Sequence, residues 1–397
     1  MQPNYREIFL QHQAQTTQFP LALTFSRADD VYLYDPSGKA YIDLIAGISV
    51  SSLGHSNAYV NDAIKKQVDS HMHLMVYGEF VQAPQARLAK AITDLLPPSL
   101  DCVYLVNSGA EAVEGALKLA KRVTGKSDIV ACKQAYHGST HAALSLNSEE
   151  YYKQAYRPLL PNVHFAEHNN MRSLDLINSQ TACFVVEIVA SEKGYVPVDC
   201  DFLQKARELC NQHCALLIVD EIQTGMGRTG SMFAFEQAGI TPDVLLLGKA
   251  LGAGMPIGAF VASHKLMQCL SYEPMLGHIT TFGGHPVVAA AALAGIEYLK
   301  QHDILLQVPA KEALFRKLLK HPAIADVSGK GLMLALSFES FDFNKKLIDA
   351  CIADGLITDW FLFAPNKLRI TPPLIISQAQ IEKACDIILT NLNKLLA

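Results

Sequence analysis

From about residue 100 onward, short apolar runs alternate with helical patterns, and this alternation restricts the possible folds more than any other feature. CVYLVNS is followed by EAVEGALKLAKRV; DIVACKQ, CFVVEIV, ALLIVDE, DVLLLGK and GAFVAS are further strand-like runs, with FLQKARELCNQHC among the helical patterns between them. Strands separated by helices predict an α/β fold with a mostly parallel, doubly wound sheet. Ligands of such sheets sit at the carboxyl ends of the strands. Asn107-Ser108, Glu187, Asp220 and Lys249 all fall at such ends, which predicts one shared site.

The stretch from Leu216 to Lys249 frames that site. Its two apolar runs, 216–219 and 244–247, deliver Asp220 with Glu221, and Lys249. A buried carboxylate and a buried amine are costly unless something pairs with them. A cofactor pairing with both is the functional reading; a turn-capping Asp220 and a Lys249 that snorkels to the surface are the plainer ones. Burial would lower the pKa of Lys249 and favour the nucleophilic amine. Glu221 points to the opposite side of a strand from Asp220, so the two should not share a site. Ile222 would lie near a ring face and Gln223 near a ring oxygen.

Ser108-Gly109-Ala110 joins a strand to a helix. Free N–H groups of a first helical turn suit a phosphate, although Ser108 could simply cap the helix. Tyr136, at another strand end, could stack on a flat ring or pack in the core. Gly225-Met-Gly227-Arg-Thr-Gly230 fits G-x-G-x-x-G but does not directly follow its strand and open a helix, as dinucleotide binding requires. Cys210, His213 and Cys214 end a helical run without a second ligand pair, so packing is expected there and no metal.

The chain has 397 residues and a net charge of −5, which offers no electrostatic footprint for nucleic acid or an anionic membrane. No apolar run is long enough to span a bilayer, and the N-terminus lacks a signal-peptide pattern. Nine scattered cysteines suit reduced thiols and a cytoplasmic protein. Residues 1–30 read as a polar, irregular arm, followed by a hairpin around Asp35-Pro36-Ser37-Gly38 and helices over 58–70 and near 82–95. Three divisions are expected: an arm and hairpin over 1–50, a large domain over 51–300, and a small α+β domain over 301–397.

NSGAEAVEGALKLA, VDEIQTGMGRTG, LLLGKALGAGMPIGA and TTFGG, in this order and spacing, resemble the class III aminotransferases of the ornithine, acetylornithine and 4-aminobutyrate type. The resemblance runs from YDPSGKAYIDLIAGI to LRITPPLII. It implies fold type I, with a seven-stranded sheet, and pyridoxal 5'-phosphate as cofactor. It further implies that Lys249 is the Schiff-base lysine and proton-shuttling base, and that Asp220 pairs with the pyridinium nitrogen. Ser108, Gly109 and Ala110 would hold the phosphate, Tyr136 and Ile222 would sandwich the ring, and Gln223 would approach its hydroxyl. His137 and Glu187 join the cofactor-binding set. Thr281 would reach the phosphate of a neighbouring subunit, which implies a homodimer with shared sites.

Arg369 matches the family's substrate-carboxylate arginine, and Glu192 its gating glutamate; the plainer reading of Glu192 is a solvated carboxylate beside Lys193. The implied substrates are small: an amino acid with a terminal (ω) amine as donor and a 2-oxo acid, 2-oxoglutarate or pyruvate, as acceptor. A mutase, racemase or decarboxylase could use the same lysine. Two departures bear on substrate choice. The family's usual His-Gly-Arg-Thr reads His137-Gly138-Ser139-Thr140, and Glu-Pro-Ile-Gln-Gly-Glu reads Glu187-Ile-Val-Ala-Ser-Glu192.

Overall fold

The structure is a computed structural model that describes residues 4–397. In chain order its strands are β1 (Arg27–Asp29), β2 (Tyr32–Tyr34), β3 (Ala40–Asp43), β4 (Cys102–Val106), β5 (Asp128–Cys132), β6 (Val163–Ala166), β7 (Thr181–Glu187), β8 (Val189–Ala190), β9 (Val196–Pro197), β10 (Leu216–Asp220), β11 (Val244–Gly248), β12 (Gly258–Ala262), β13 (Asp326–Lys330), β14 (Met333–Ser337), β15 (Leu356–Ile357) and β16 (Lys367–Ile370). Seven of them form the central sheet in the order β4-β12-β11-β10-β7-β5-β6. All run in one sense except β12, which is antiparallel to both its neighbours.

Every residue of β7, β10, β11 and β12 is buried. Helices cover both faces, which is why these strands are continuously apolar rather than alternating. The helix Gly109–Thr124 opens on the Ser108 cap and closes on Gly125 at φ 67°, the left-handed terminus that glycine permits. It lies so close to the sheet that a Cβ on Gly115 would stand 2.4 Å from Phe260. On the other face Pro286–Gln301 packs against Ala58–Ser70 and Ala83–Thr93.

The N-terminal hairpin pairs with the C-terminal part of the chain. β3 runs parallel to β15, completing a sheet of order β1-β2-β3-β15. The C-terminal part adds the antiparallel sheet β13-β14-β16 and the helices Ile304–Leu318, Phe341–Ala353 and Gln378–Leu396. The last begins with a capping box between Ser377 and Gln380. The glycine run set aside in the sequence proves to be a structural tie. Gly227 and Gly230 have φ of +89° and +97°, and fully buried Arg228 between them donates to the carbonyls of Leu332 and Pro372 and to Ser52 Oγ.

The arm differs from the sequence expectation. Tyr5–His12 is a helix, capped by the Asn4 side chain and with no buried residue. Tyr5, Ile8 and Phe9 share one face, but the helix has only eight residues and buries none of them, too little for its period to stand out in the sequence. Residues 1–3 of the expected arm lie outside the described residues.

Candidate active site

The carboxyl ends of β7, β10 and β11 meet the turns after β4 and β5 and enclose a cavity of about 210 Å³, lined among others by Gly109, Ala110, Tyr136, Asp220, Ile222 and Lys249. A second cavity of about 560 Å³ adjoins it and is lined by Glu192, Asp359, Trp360 and Arg369 among others. Tyr136 and Lys249 line both.

Lys249 follows β11 directly, at φ 44°. That left-handed conformation costs a non-glycine residue of order 1 kcal/mol, and here it turns the chain into a short 3₁₀ segment where the cavities join. The amine donates to Gln223 Oε1 at 3.3 Å, and no carboxylate lies in ion-pair contact with it among the described residues. Burial pulls its pKa below the ordinary lysine value, against the opposing pull of Glu192, Asp220 and Glu187. The nucleophilic amine expected from the sequence is thus favoured.

Asp220, at the end of β10, is buried. Its Oδ1 accepts from the Ile222 N–H at 3.0 Å, and its Oδ2 lies 2.7 Å from His137 Nδ1. Burial works against a charged His137, but the hydrogen bond and charge of Asp220 outweigh it and raise the imidazole pKa. The second ring nitrogen, His137 Nε2, is buried without a partner. Glu187 ends β7 next door, where its carboxylate accepts from the N–H groups of Tyr136 and Ser191. Burial pushes its pKa up to about 7. Glu221 is turned away, as expected, and binds the N–H groups of Ala234 and Phe235 and the Thr224 hydroxyl.

The turn after β4 realises the capping alternative, since Ser108 Oγ accepts from the Glu111 N–H at 3.2 Å. That leaves the hydroxyl proton and the Gly109 and Ala110 N–H groups for a ligand at the helix start. A Cβ on Gly109 would stand 2.8 Å from Ile222 Cδ1, so the helix terminus and the Ile222 side chain close on each other with room for nothing larger than glycine.

At the far side Arg369 is almost completely buried. Its Nη2 donates to both Glu192 oxygens, at 3.1 and 3.2 Å, and to the Trp360 carbonyl at 3.1 Å. Nη1 reaches Tyr195 Oη at 3.2 Å, Nε reaches Asp359 Oδ1 at 2.7 Å, and the guanidinium stands 4.2 Å from the Phe361 ring centre. Burial works against the charge, but Tyr195, Asp359 and Glu192 outweigh it and raise the pKa of the guanidinium. Glu192 is therefore no solvated surface group; it is buried, and the Leu362 N–H also binds it. Ser139 is exposed, with Oγ 3.3 Å from Tyr136 Oη.

Gly109, Ala110, Tyr136, His137, Glu187, Asp220, Ile222, Gln223, Lys249, Glu192 and Arg369 thus line two adjoining cavities, and Ser108 stands directly before Gly109 as the helix cap. Thr281 does not line them; it is exposed. Tyr195 and Asp359 were not singled out by the sequence. Tyr195 Oη accepts from Gln223 Nε2 at 3.0 Å as well as from Arg369, so hydrogen bonds run from Lys249 through Gln223 and Tyr195 to Arg369. No sequence pattern pointed to Asp359, which lies between β15 and β16.

A pyridine ring carrying an aldehyde and a phosphate ester fits these residues. The smaller cavity offers a helix N-terminus, a carboxylate and an amine that is paired with no other charge, with Tyr136 and Ile222 on its walls.

Residues 13–392 match the family described as Aminotransferase class-III. The acetylornithine aminotransferase of Archaeoglobus fulgidus is 35% identical over 369 residues, covering 92% of this chain and 95% of its own. The succinylornithine transaminase of Yersinia pseudotuberculosis is 36% identical, with 92% and 91% covered. Among solved structures, the ornithine aminotransferase of Toxoplasma gondii, described with partial occupancy of PLP at its active site, superposes with a TM-score of 0.91 at 27% identity, over 99% of this chain and 94% of that one. The chain belongs to the class III aminotransferases, pyridoxal-phosphate enzymes of fold type I.

Proposed function

We propose that this enzyme moves the terminal amino group of an ω-amino substrate to a 2-oxo acid in two half-reactions that share one site. One observation carries the reading: Lys249 and Tyr136 line both cavities, with Asp220 on one side and the Arg369–Glu192 pair on the other. The acylornithine activities named for the relatives support a terminal amine as donor.

Pyridoxal phosphate, when bound, supplies an aldehyde for condensation with amines and a ring that withdraws electrons from the reacting carbon. Lys249 would be the residue that holds it covalently, and its Nζ would serve as the base toward the proton on the carbon bearing the donor's amine. The lowered pKa of this amine suits it to that work. Asp220 would hold a proton on the ring nitrogen, and His137 orients Asp220 through the 2.7 Å contact. Gly109, Ala110 and Ser108 would present N–H and hydroxyl donors to the phosphate. Tyr136 and Ile222 would flank the ring, Gln223 would approach its hydroxyl, and Glu187 fixes the Tyr136 backbone. Arg369 binds the carboxylate of the 2-oxo acid after Glu192 moves aside; while Glu192 is seated, the pocket takes the ω-amine donor.

A homodimer completes the site. One face exposes Val81 fully and Phe80 and Phe282 by more than half, around an apolar hollow of about 410 Å³. Buried side-chain atoms of Gln82, Gln85 and His285 in the same region lack partners. Both features call for a second copy there. Thr281 lies next to Thr280 and Gly283 of that hollow, which supports its assignment to the partner's phosphate. The nine unpaired thiols fit a reducing, cytoplasmic setting. The division into residues 1–50, 51–300 and 301–397 fits an arm and hairpin, a large cofactor domain and a small domain.

The test is a panel of donors (ornithine, N-acetylornithine, 4-aminobutyrate, β-alanine, lysine) crossed with 2-oxoglutarate and pyruvate. Amine consumption that depends on the 2-oxo acid is expected. Turnover of an amine with no acceptor present would replace this reading with a mutase, racemase or decarboxylase.

A further inference from the structure

Arg369 has two carboxylate partners, and they are held differently. Glu192 lies in the turn between β8 and β9, far away in sequence, and reaches the guanidinium across the cavity wall. Asp359 lies in the segment that runs antiparallel to β16, where the Arg369 N–H donates to the Asp359 carbonyl at 3.0 Å. Arg369 Nε donates to Oδ1 of the same residue at 2.7 Å. Backbone and side chain bind this pair twice. Asp359 therefore stays on the guanidinium when Glu192 leaves.

Asp359 is also the more accessible of the two, with 23% of its side chain exposed against 9% for Glu192. It lines the cavity that Lys249 shares, and its Oδ2 has no protein partner among the described residues. A carboxylate oxygen accepts hydrogen bonds and donates none. One that is free in a substrate cavity is complementary to a cationic N–H donor, and such charge-assisted bonds are roughly twice as strong as neutral ones. While Glu192 is seated, one guanidinium faces two carboxylates, so this wall carries a surplus negative charge. It disfavours a carboxylate placed against this wall and attracts a second ammonium there.

We propose that Asp359 is a specificity-determining residue that selects amine donors carrying a second, unblocked ammonium group over donors whose second nitrogen is acylated. This rests on the aminotransferase reading and goes beyond it in naming the donor class. The acceptor half-reaction feels the opposite effect. With Glu192 out, the 2-oxo acid meets a guanidinium that Asp359 already partly neutralises, so its binding is weaker than an unaccompanied arginine would give.

The experiment uses the pyridoxal-phosphate holoenzyme, wild type and Asp359→Asn, with 1,5-diaminopentane and its mono-N-acetyl derivative as donors and one 2-oxo acid as acceptor. Asparagine keeps an oxygen for Arg369 Nε, removes the charge and puts an NH2 donor where Oδ2 accepts. For the wild type we expect kcat/KM at least about tenfold higher for the diamine, well above the factor of about two that its two equivalent amines supply. In Asp359→Asn the ratio falls to about that statistical factor, and KM for the 2-oxo acid falls severalfold. A merely structural defect would lower both donors together and leave the ratio in place. A wild-type ratio near the statistical factor overturns the proposal without any variant, so misfolding of Asp359→Asn cannot shield it. An unchanged ratio in an active Asp359→Asn enzyme overturns it as well. Transfer from other ω-amines alongside either result leaves the aminotransferase reading standing, whereas absence of transfer from every donor refutes that reading instead.

Discussion

Replacing Arg369 with lysine should separate the two half-reactions. The lysine keeps a positive charge between Glu192 and Asp359, so neither carboxylate is left buried without a counter-charge, a loss that costs about 3–5 kcal/mol. What disappears is the fork. Arg369 distributes its donors among Asp359, Tyr195, Glu192 and the Trp360 carbonyl, and one ammonium cannot reproduce that arrangement or grip a carboxylate through two parallel bonds. Losing one charge-assisted bond of the pair costs roughly 2 kcal/mol, which is about 30-fold in kcat/KM for the 2-oxo acid. The donor half-reaction, which runs with Glu192 seated, should change by less than about fivefold. Stopped-flow absorbance on the holoenzyme resolves the two halves, one with donor alone and the other with 2-oxo acid added to the aminated enzyme. Equal losses in both halves would show that Arg369 merely supports the pocket, and no loss in the acceptor half would place the carboxylate elsewhere.

Two further perturbations follow from the same geometry. Burial raises the Glu187 pKa from 4.5 to about 7, so its contribution to folding is complete below about pH 4.5 and is lost as pH rises through about 7. Urea denaturation of the cofactor-free protein should therefore show the wild type losing about 2 kcal/mol more between pH 5 and 8 than Glu187→Gln; parallel curves would contradict the buried, proton-binding carboxylate. Val81→Asp puts a charge into the fully exposed apolar face and should convert a sedimenting dimer to monomer with weakened cofactor retention, whereas a wild type that is already monomeric at micromolar concentration would remove the dimer from the account.

The strand ends that build the site were readable because each is a short apolar run broken by a polar residue, and burial on both faces enforces that pattern. Asp220 and Lys249 stood out as charges at the edges of LLIV and VLLLG. The sense of β12 was not readable. GAFVA is buried throughout and looks the same in either direction. The helix Tyr5–His12 was hidden for the opposite reason, since it buries nothing. Ser108 carried two readings because the cap and the phosphate cradle use the same helix terminus. Tyr195 and Asp359 went unnoticed because their significance comes from partners that the fold brings together. Tyr195 meets Gln223 and Arg369, 28 and 174 residues away. Asp359 is ten residues from Arg369 in a neighbouring extended segment, and only the pairing across segments turns it toward the guanidinium.

Lys249 and Asp220 are proposed to grip one cofactor from opposite ends, with Lys249 bonded to it. The most direct measurement is borohydride reduction of the resting holoenzyme, followed by proteolysis and mass mapping of the modified peptide. The expected result is a single pyridoxyl adduct on Lys249, and loss of both the adduct and the lysine-bound cofactor's absorbance band in a folded Lys249→Ala protein. An adduct on a different lysine, or full turnover by Lys249→Ala, would contradict the account.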